Sequence, residues 1–63
     1  MPVVAIDVWA GRPAEQKEKL IKSVTEAVAK SLGIAQDQVT IILREIPKEN
    51  WGAAGEVASK AKK

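Results

Sequence analysis

The chain has 63 residues and a formal net charge of +2, with no cysteine and no histidine. Those absences exclude disulfides, thiolate metal sites and any Ser-His or Cys-His catalytic pair, and they remove the commonest metal ligand and general base. A single small domain over residues 1–63 buries only about 60% of its unfolded surface, so oligomerisation is the staple left to it.

The N-terminus, Met1-Pro2-Val3-Val4, lacks a basic leader, and Asp7 interrupts the apolar segment. No apolar run approaches the roughly 20 residues that span a bilayer. The expectation is a cytoplasmic chain with no signal peptide and no membrane partner. Val3 to Trp9 is rich in β-branched residues and is bounded by Gly11, which predicts a strand. Alternation puts Val4, Ile6 and Val8 on one face and Val3, Ala5, Asp7 and Trp9 on the other.

Gly11-Arg12-Pro13 reads as a turn into a helix, with Pro13 suited to the first helical position. The helix is expected to run to Leu32, with Gly33 beyond its end. Leu20, Ile21, Val24, Ala27, Val28 and Leu32 form its apolar stripe. Glu15–Lys19, Glu18–Lys22 and Glu26–Lys30 have the spacing of helical ion pairs. This interleaving of Lys and Glu marks a solvated surface and not a nucleic-acid footprint. Lys60, Lys62 and Lys63 read as a frayed basic end.

Val39 to Ile46 is the second predicted strand, ended by Pro47. Val39, Ile41 and Leu43 share one face; Thr40, Ile42, Arg44 and Ile46 share the other. Lys48 to Lys63 is compatible with a hairpin or an arm. Strand, helix, strand makes a right-handed βαβ unit with parallel strands. One helix covers one face of that sheet, and the other face stays apolar. It must pack on something, most simply on further copies of the chain.

Few residues are suited to chemistry. Gly52-Ala53-Ala54-Gly55 lacks the Lys-Ser/Thr of a phosphate loop. No metal site and no cofactor motif is spelled. The helix carboxylates read as a solvated face. Pro2 and Arg12 remain. Removal of Met1 would leave Pro2 as a secondary amine. An exposed α-amino group titrates near ~8, and burial or a neighbouring cation pushes that value down toward neutrality. Arg12, at the strand-to-helix turn, is of the type that grips carboxylates bidentately.

Along nearly its whole length the sequence resembles the 4-oxalocrotonate tautomerase family. The resemblance rests on Met1-Pro2 before an apolar strand, on Gly11-Arg12 with Glu15-Gln16-Lys17, and on the stretch from Trp51-Gly52 through Gly55-Glu56-Val57-Ala58-Ser59-Lys60. It implies an α+β fold: a β-α-β protomer with a C-terminal hairpin, oligomerising through its sheets, usually as a homohexamer built as a trimer of dimers. It implies cofactor-independent enol–keto isomerisation of 2-hydroxydienoates to unsaturated 2-oxo acids. Pro2 would be the general base, with Arg12 beside it on a substrate carboxylate. Trp51 would be a hydrophobic wall and Trp9 a pocket residue. One position departs from the pattern: Thr40 stands where the family carries a second catalytic arginine. Loss of a charged donor to an oxyanion costs roughly 3 kcal/mol. Arg44 shares the face of Thr40 but lies roughly 13 Å along the strand, so it would serve only across an interface. Two other readings stay open. One is a non-catalytic oligomeric module that binds a small acid or a partner. The other is a hydratase or dehalogenase, which needs a carboxylate to activate water.

Overall fold

The computed structural model describes residues 1–60. Lys62 and Lys63 of the basic end lie outside the described residues. Strand β1 (Val3–Trp9) leads through a turn into helix α1 (Ala14–Leu32). A short 3₁₀ turn at Gln36–Gln38 precedes strand β2 (Thr40–Ile46). A second 3₁₀ turn at Lys48–Asn50 is followed by a small hairpin of β3 (Gly52–Ala53) and β4 (Glu56–Val57). The family's β-α-β unit and hairpin are therefore both present.

β1 and β2 pair in parallel, with Val3 opposite Thr40, Asp7 opposite Arg44 and Trp9 opposite Ile46. The pairing extends at each end: the Thr40 N–H donates to the Pro2 carbonyl at 3.0 Å, and the Ala10 N–H to the Ile46 carbonyl at 3.0 Å. Among the described residues each of these strands has one partner only, so the outer edge of β1 and the outer edge of β2 are both unpaired there. Edges of this kind are templates for pairing with another chain.

α1 lies on the face formed by Val4, Ile6, Val8, Ile41 and Leu43, all half-buried. Two details differ from the expected helix. Pro13 is the cap and not the first helical residue, because its backbone is still extended, with ψ 153°. Its carbonyl accepts from Gln16 and Lys17, at 3.1 and 3.2 Å, and so starts the helix. The packed stripe also shifts. Leu20, Val24, Thr25 and Val28 are half-buried and Ala29 is buried, whereas Ile21, Ala27 and Leu32 face out. A 19-residue helix is about 28 Å long and overruns a seven-residue strand. Leu32, in the last turn, is consequently left 60% exposed.

The charged surface also sorts itself differently from the helical spacing. Two ion pairs form among the described residues: Lys17 with Glu45 and Asp7 with Arg44. The three Glu–Lys pairs along α1 are not closed, as expected where ordering two long exposed side chains outweighs a screened attraction.

Among the described residues nothing covers the other face of the sheet. Val3 is 59% exposed and Ile42 44% exposed. Among the described residues only Ala29 is buried, so one chain holds almost no core of its own. A two-stranded sheet with one helix cannot enclose both of its faces, and this face is where the missing burial has to be found.

Candidate active site

Residues at the carboxyl end of β1 converge on a hollow. Gly11, with φ 113°, takes a backbone conformation that L side chains rarely adopt, and so reverses the chain after Trp9. That reversal sets Arg12 beside the strand end. Arg12 Nη1 donates to Gln16 Oε1 at 3.1 Å, a helical i,i+4 contact that holds the guanidinium at the helix entrance.

Trp51 reaches the same place from the far end of the chain. The 3₁₀ turn after Pro47 is closed by Asn50 N–H to Pro47 at 2.9 Å and Trp51 N–H to Lys48 at 3.2 Å. The hairpin then returns, and the Ala58 N–H donates to the Trp51 carbonyl at 2.7 Å. Its two-residue turn, Ala54-Gly55, has positive φ at both positions, 55° and 80°. That is the primed turn a tight hairpin requires, here with a non-glycine residue at the first position. The Trp9 and Trp51 rings meet edge to face, 5.9 Å between centroids and 81° apart, a favoured aromatic geometry. Asp7, Val8, Trp9, Arg12 and Trp51 line a hollow of about 220 Å³. Lys48 Nζ lies over the Trp9 ring, 4.6 Å from its centroid.

Arg12, Trp9 and Trp51 are thus brought together. Pro2 is not. It sits half-buried at the opposite end of β1, beside Thr40. Seven residue steps of strand separate Pro2 from Trp9, about 23 Å. Within one chain, strand length alone therefore holds Pro2 away from Arg12. Arg44 does not stand in for the absent arginine at Thr40 within the chain either. Its Nε donates to Asp7 Oδ1 at 2.7 Å, on the uncovered face of the sheet. That hydrogen bond, and then the charge of Asp7, raise the Arg44 pKa above its ordinary value. Asp7 is the carboxylate that lines the hollow, and it is engaged by this arginine.

Sequence reasoning missed Lys48 and Asp7. Lys48 carried a weak signal, three residues before Trp51 and directly after Pro47. Asp7 carried none, because its pairing depends on the parallel register. Among the described residues, no group of three or more metal-ligating side chains is gathered, and no helix is long and apolar enough to cross a membrane.

Comparison with known proteins completes the picture. A family model described as "Tautomerase enzyme" matches residues 2–61. The 2-hydroxymuconate tautomerase of Pseudomonas sp. (strain CF600) is 41% identical over 63 residues, covering all of both chains. A 4-oxalocrotonate tautomerase isozyme from Methylibium petroleiphilum superposes with a TM-score of 0.89 at 36% identity, covering 92% of this chain and 94% of the other. A heterohexameric 4-oxalocrotonate tautomerase from Chloroflexus aurantiacus superposes with a TM-score of 0.93 at 26% identity, covering 98% and 100%. The chain belongs to the 4-oxalocrotonate tautomerase family and is an enol–keto tautomerase, a member of the isomerases.

Proposed function

We propose that this tautomerase ketonises a 2-hydroxydienoate such as 2-hydroxymuconate at a site shared between two copies of the chain, with Pro2 of one copy as the base. The observation that carries this reading is the layout of β1. Pro2 stands at one end, the hollow of Trp9, Arg12 and Trp51 at the other, and the outer edge between them is unpaired among the described residues. Antiparallel pairing of two β1 edges about a two-fold axis sets the amino end of each strand against the carboxyl end of its neighbour. Each Pro2 then meets the other copy's hollow, and the two-fold contact makes two such sites at once. The open sheet face, with Val3, Ile42 and Trp9 exposed, supports further assembly of such pairs. Similarity to a heterohexameric relative supports an oligomer of that order.

The chemistry follows from the residues. Without Met1, the Pro2 nitrogen is a secondary amine with a free lone pair. It takes the proton of the enol hydroxyl. The electron pair of that O–H bond becomes the new carbonyl, the double bonds shift, and a carbon remote from the oxygen takes a proton back. The protonated Pro2 nitrogen supplies that proton, and the electron pairs shift only within the substrate, so no oxidant or reductant enters the balance. Arg12 grips a carboxylate with its forked donors and favours electron drift toward that end. Trp9 and Trp51 wall the hollow, and a Pro2 amine seated against them from another copy would meet less polar surroundings, which lower an amine's pKa and strengthen the arginine's field. A hydratase would need a free carboxylate to activate water. Asp7 is the acid at the hollow, and its engagement with Arg44 favours the tautomerase reading.

The test is kinetic. Pro2→Ala, with Met1 removed, should lower kcat/KM for 2-hydroxymuconate by about a hundredfold or more, the usual contribution of a positioned base. An unchanged rate would remove Pro2 from the mechanism. A rate that stays low alongside intact binding of a dicarboxylate would confirm it as the base.

A further inference from the structure

Besides Arg12, which lines the hollow, a second positive charge stands over one of its walls: Lys48, above the ring of Trp9. We propose that Lys48 is a substrate-binding residue, whose ammonium takes a carboxylate of a dicarboxylate substrate and supplies charge that Thr40 does not. This rests on the assignment of the hollow as the acid-binding part of the tautomerase site.

Position is the first argument. Lys48 Nζ lies 4.6 Å from the centroid of Trp9, a ring that itself lines the hollow. A cation at that distance is held by the ring's electron-rich face. The hold is weak enough to be exchanged for an anion, and it keeps the ammonium at the rim. The backbone fixes its origin: the carbonyl of Lys48 accepts from the N–H of Trp51, so the turn that places one aromatic wall also places this lysine.

Charge balance is the second argument. The carboxylate at the hollow, Asp7, is matched by Arg44 at 2.7 Å. Arg12 bonds to the neutral amide of Gln16. Among the described residues neither Arg12 nor Lys48 has an acidic partner within ion-pair distance. Two positive charges therefore remain for a ligand, one a fork and one a point charge on a flexible stem. That combination suits an acid with two carboxylates better than an acid with one.

The experiment compares two enols, 2-hydroxymuconate with two carboxylates and phenylenolpyruvate with one, in Lys48→Met and Lys48→Arg chains. Lys48→Met should raise KM for 2-hydroxymuconate about tenfold and leave phenylenolpyruvate within about twofold, the signature of one lost charge-assisted contact. Lys48→Arg should restore most of the loss, because it keeps the charge. Binding of adipate, an unreactive dicarboxylate, followed by tryptophan fluorescence, should weaken about tenfold in Lys48→Met by the same reasoning. That readout does not depend on catalysis, so it separates failure of this proposal from failure of the Pro2 assignment. Equal loss with both enols, no loss with either, or unchanged adipate binding overturns the role given to Lys48.

Discussion

If each site takes Pro2 from one chain and Arg12 from another, two crippled chains should rescue each other. Consider Pro2→Ala and Arg12→Ala variants, each with Met1 removed. Alone, each should be impaired about a hundredfold in kcat/KM, since one lacks the base and the other a charged donor to the reacting acid. Mixed in equal amounts after unfolding and refolding together, the chains pair at random. A site is whole when its Pro2 comes from an Arg12→Ala chain and its Arg12 from a Pro2→Ala chain. Two independent even choices give roughly one site in four, so activity should return to about a quarter of the unaltered enzyme's. The need for two chains comes from the roughly 23 Å of β1 between Pro2 and Trp9, which forbids an intact site within one chain. Continuous assay of 2-hydroxymuconate loss reads the outcome. Activity no greater than the sum of the separate variants, in a mixture shown by mass to contain hybrid oligomers, would refute the shared site.

Other expectations follow from the same structure. Ile42→Asp places a charge on the uncovered face of the sheet and should dissociate the assembly, with size-exclusion chromatography showing a smaller species and a concentration-dependent Tm that is lost. Ala54→Gly relieves a left-handed backbone at φ 55°; thermal unfolding should show a gain of up to about 1 kcal/mol, reduced by the larger entropy of unfolded glycine. The Asp7–Arg44 pair raises the Arg44 pKa. A raised cationic pKa gives stability that is complete below the unfolded value and lost only as pH rises through the folded one. Denaturation across the neutral range should therefore differ between the unaltered chain and Arg44→Met by an amount independent of pH from this group.

Much of the fold was legible because its signals are local. β-branched residues from Val3 to Trp9 and Gly33 after an amphipathic run fixed where elements begin and end to within a residue. Pro13 misled by one position, since its ring is compatible with both the cap and the first helical residue, and only the ψ of 153° separates them. The stripe on α1 was read too wide at Leu32, because periodicity does not know where the sheet beneath the helix stops.

The site was less legible than its members. Arg12 and Pro2 stood out by residue type, but type says nothing about distance. The length of β1, itself readable, already implies that they cannot meet in one chain. Trp9 and Trp51 are far apart in sequence and came together only through the turn after Pro47. Asp7 and Arg44 needed the parallel register before their pairing could be seen, and Lys48 needed the ring of Trp9 beneath it.

The central claim is that the Pro2 nitrogen acts as a free secondary amine. It is tested most directly by measuring ketonisation of 2-hydroxymuconate with two preparations that differ, by intact mass, only in the presence of Met1. With Met1 attached, the nitrogen is an amide without a basic lone pair, so that preparation should be inactive and the processed one active. Equal rates from the two would contradict the account.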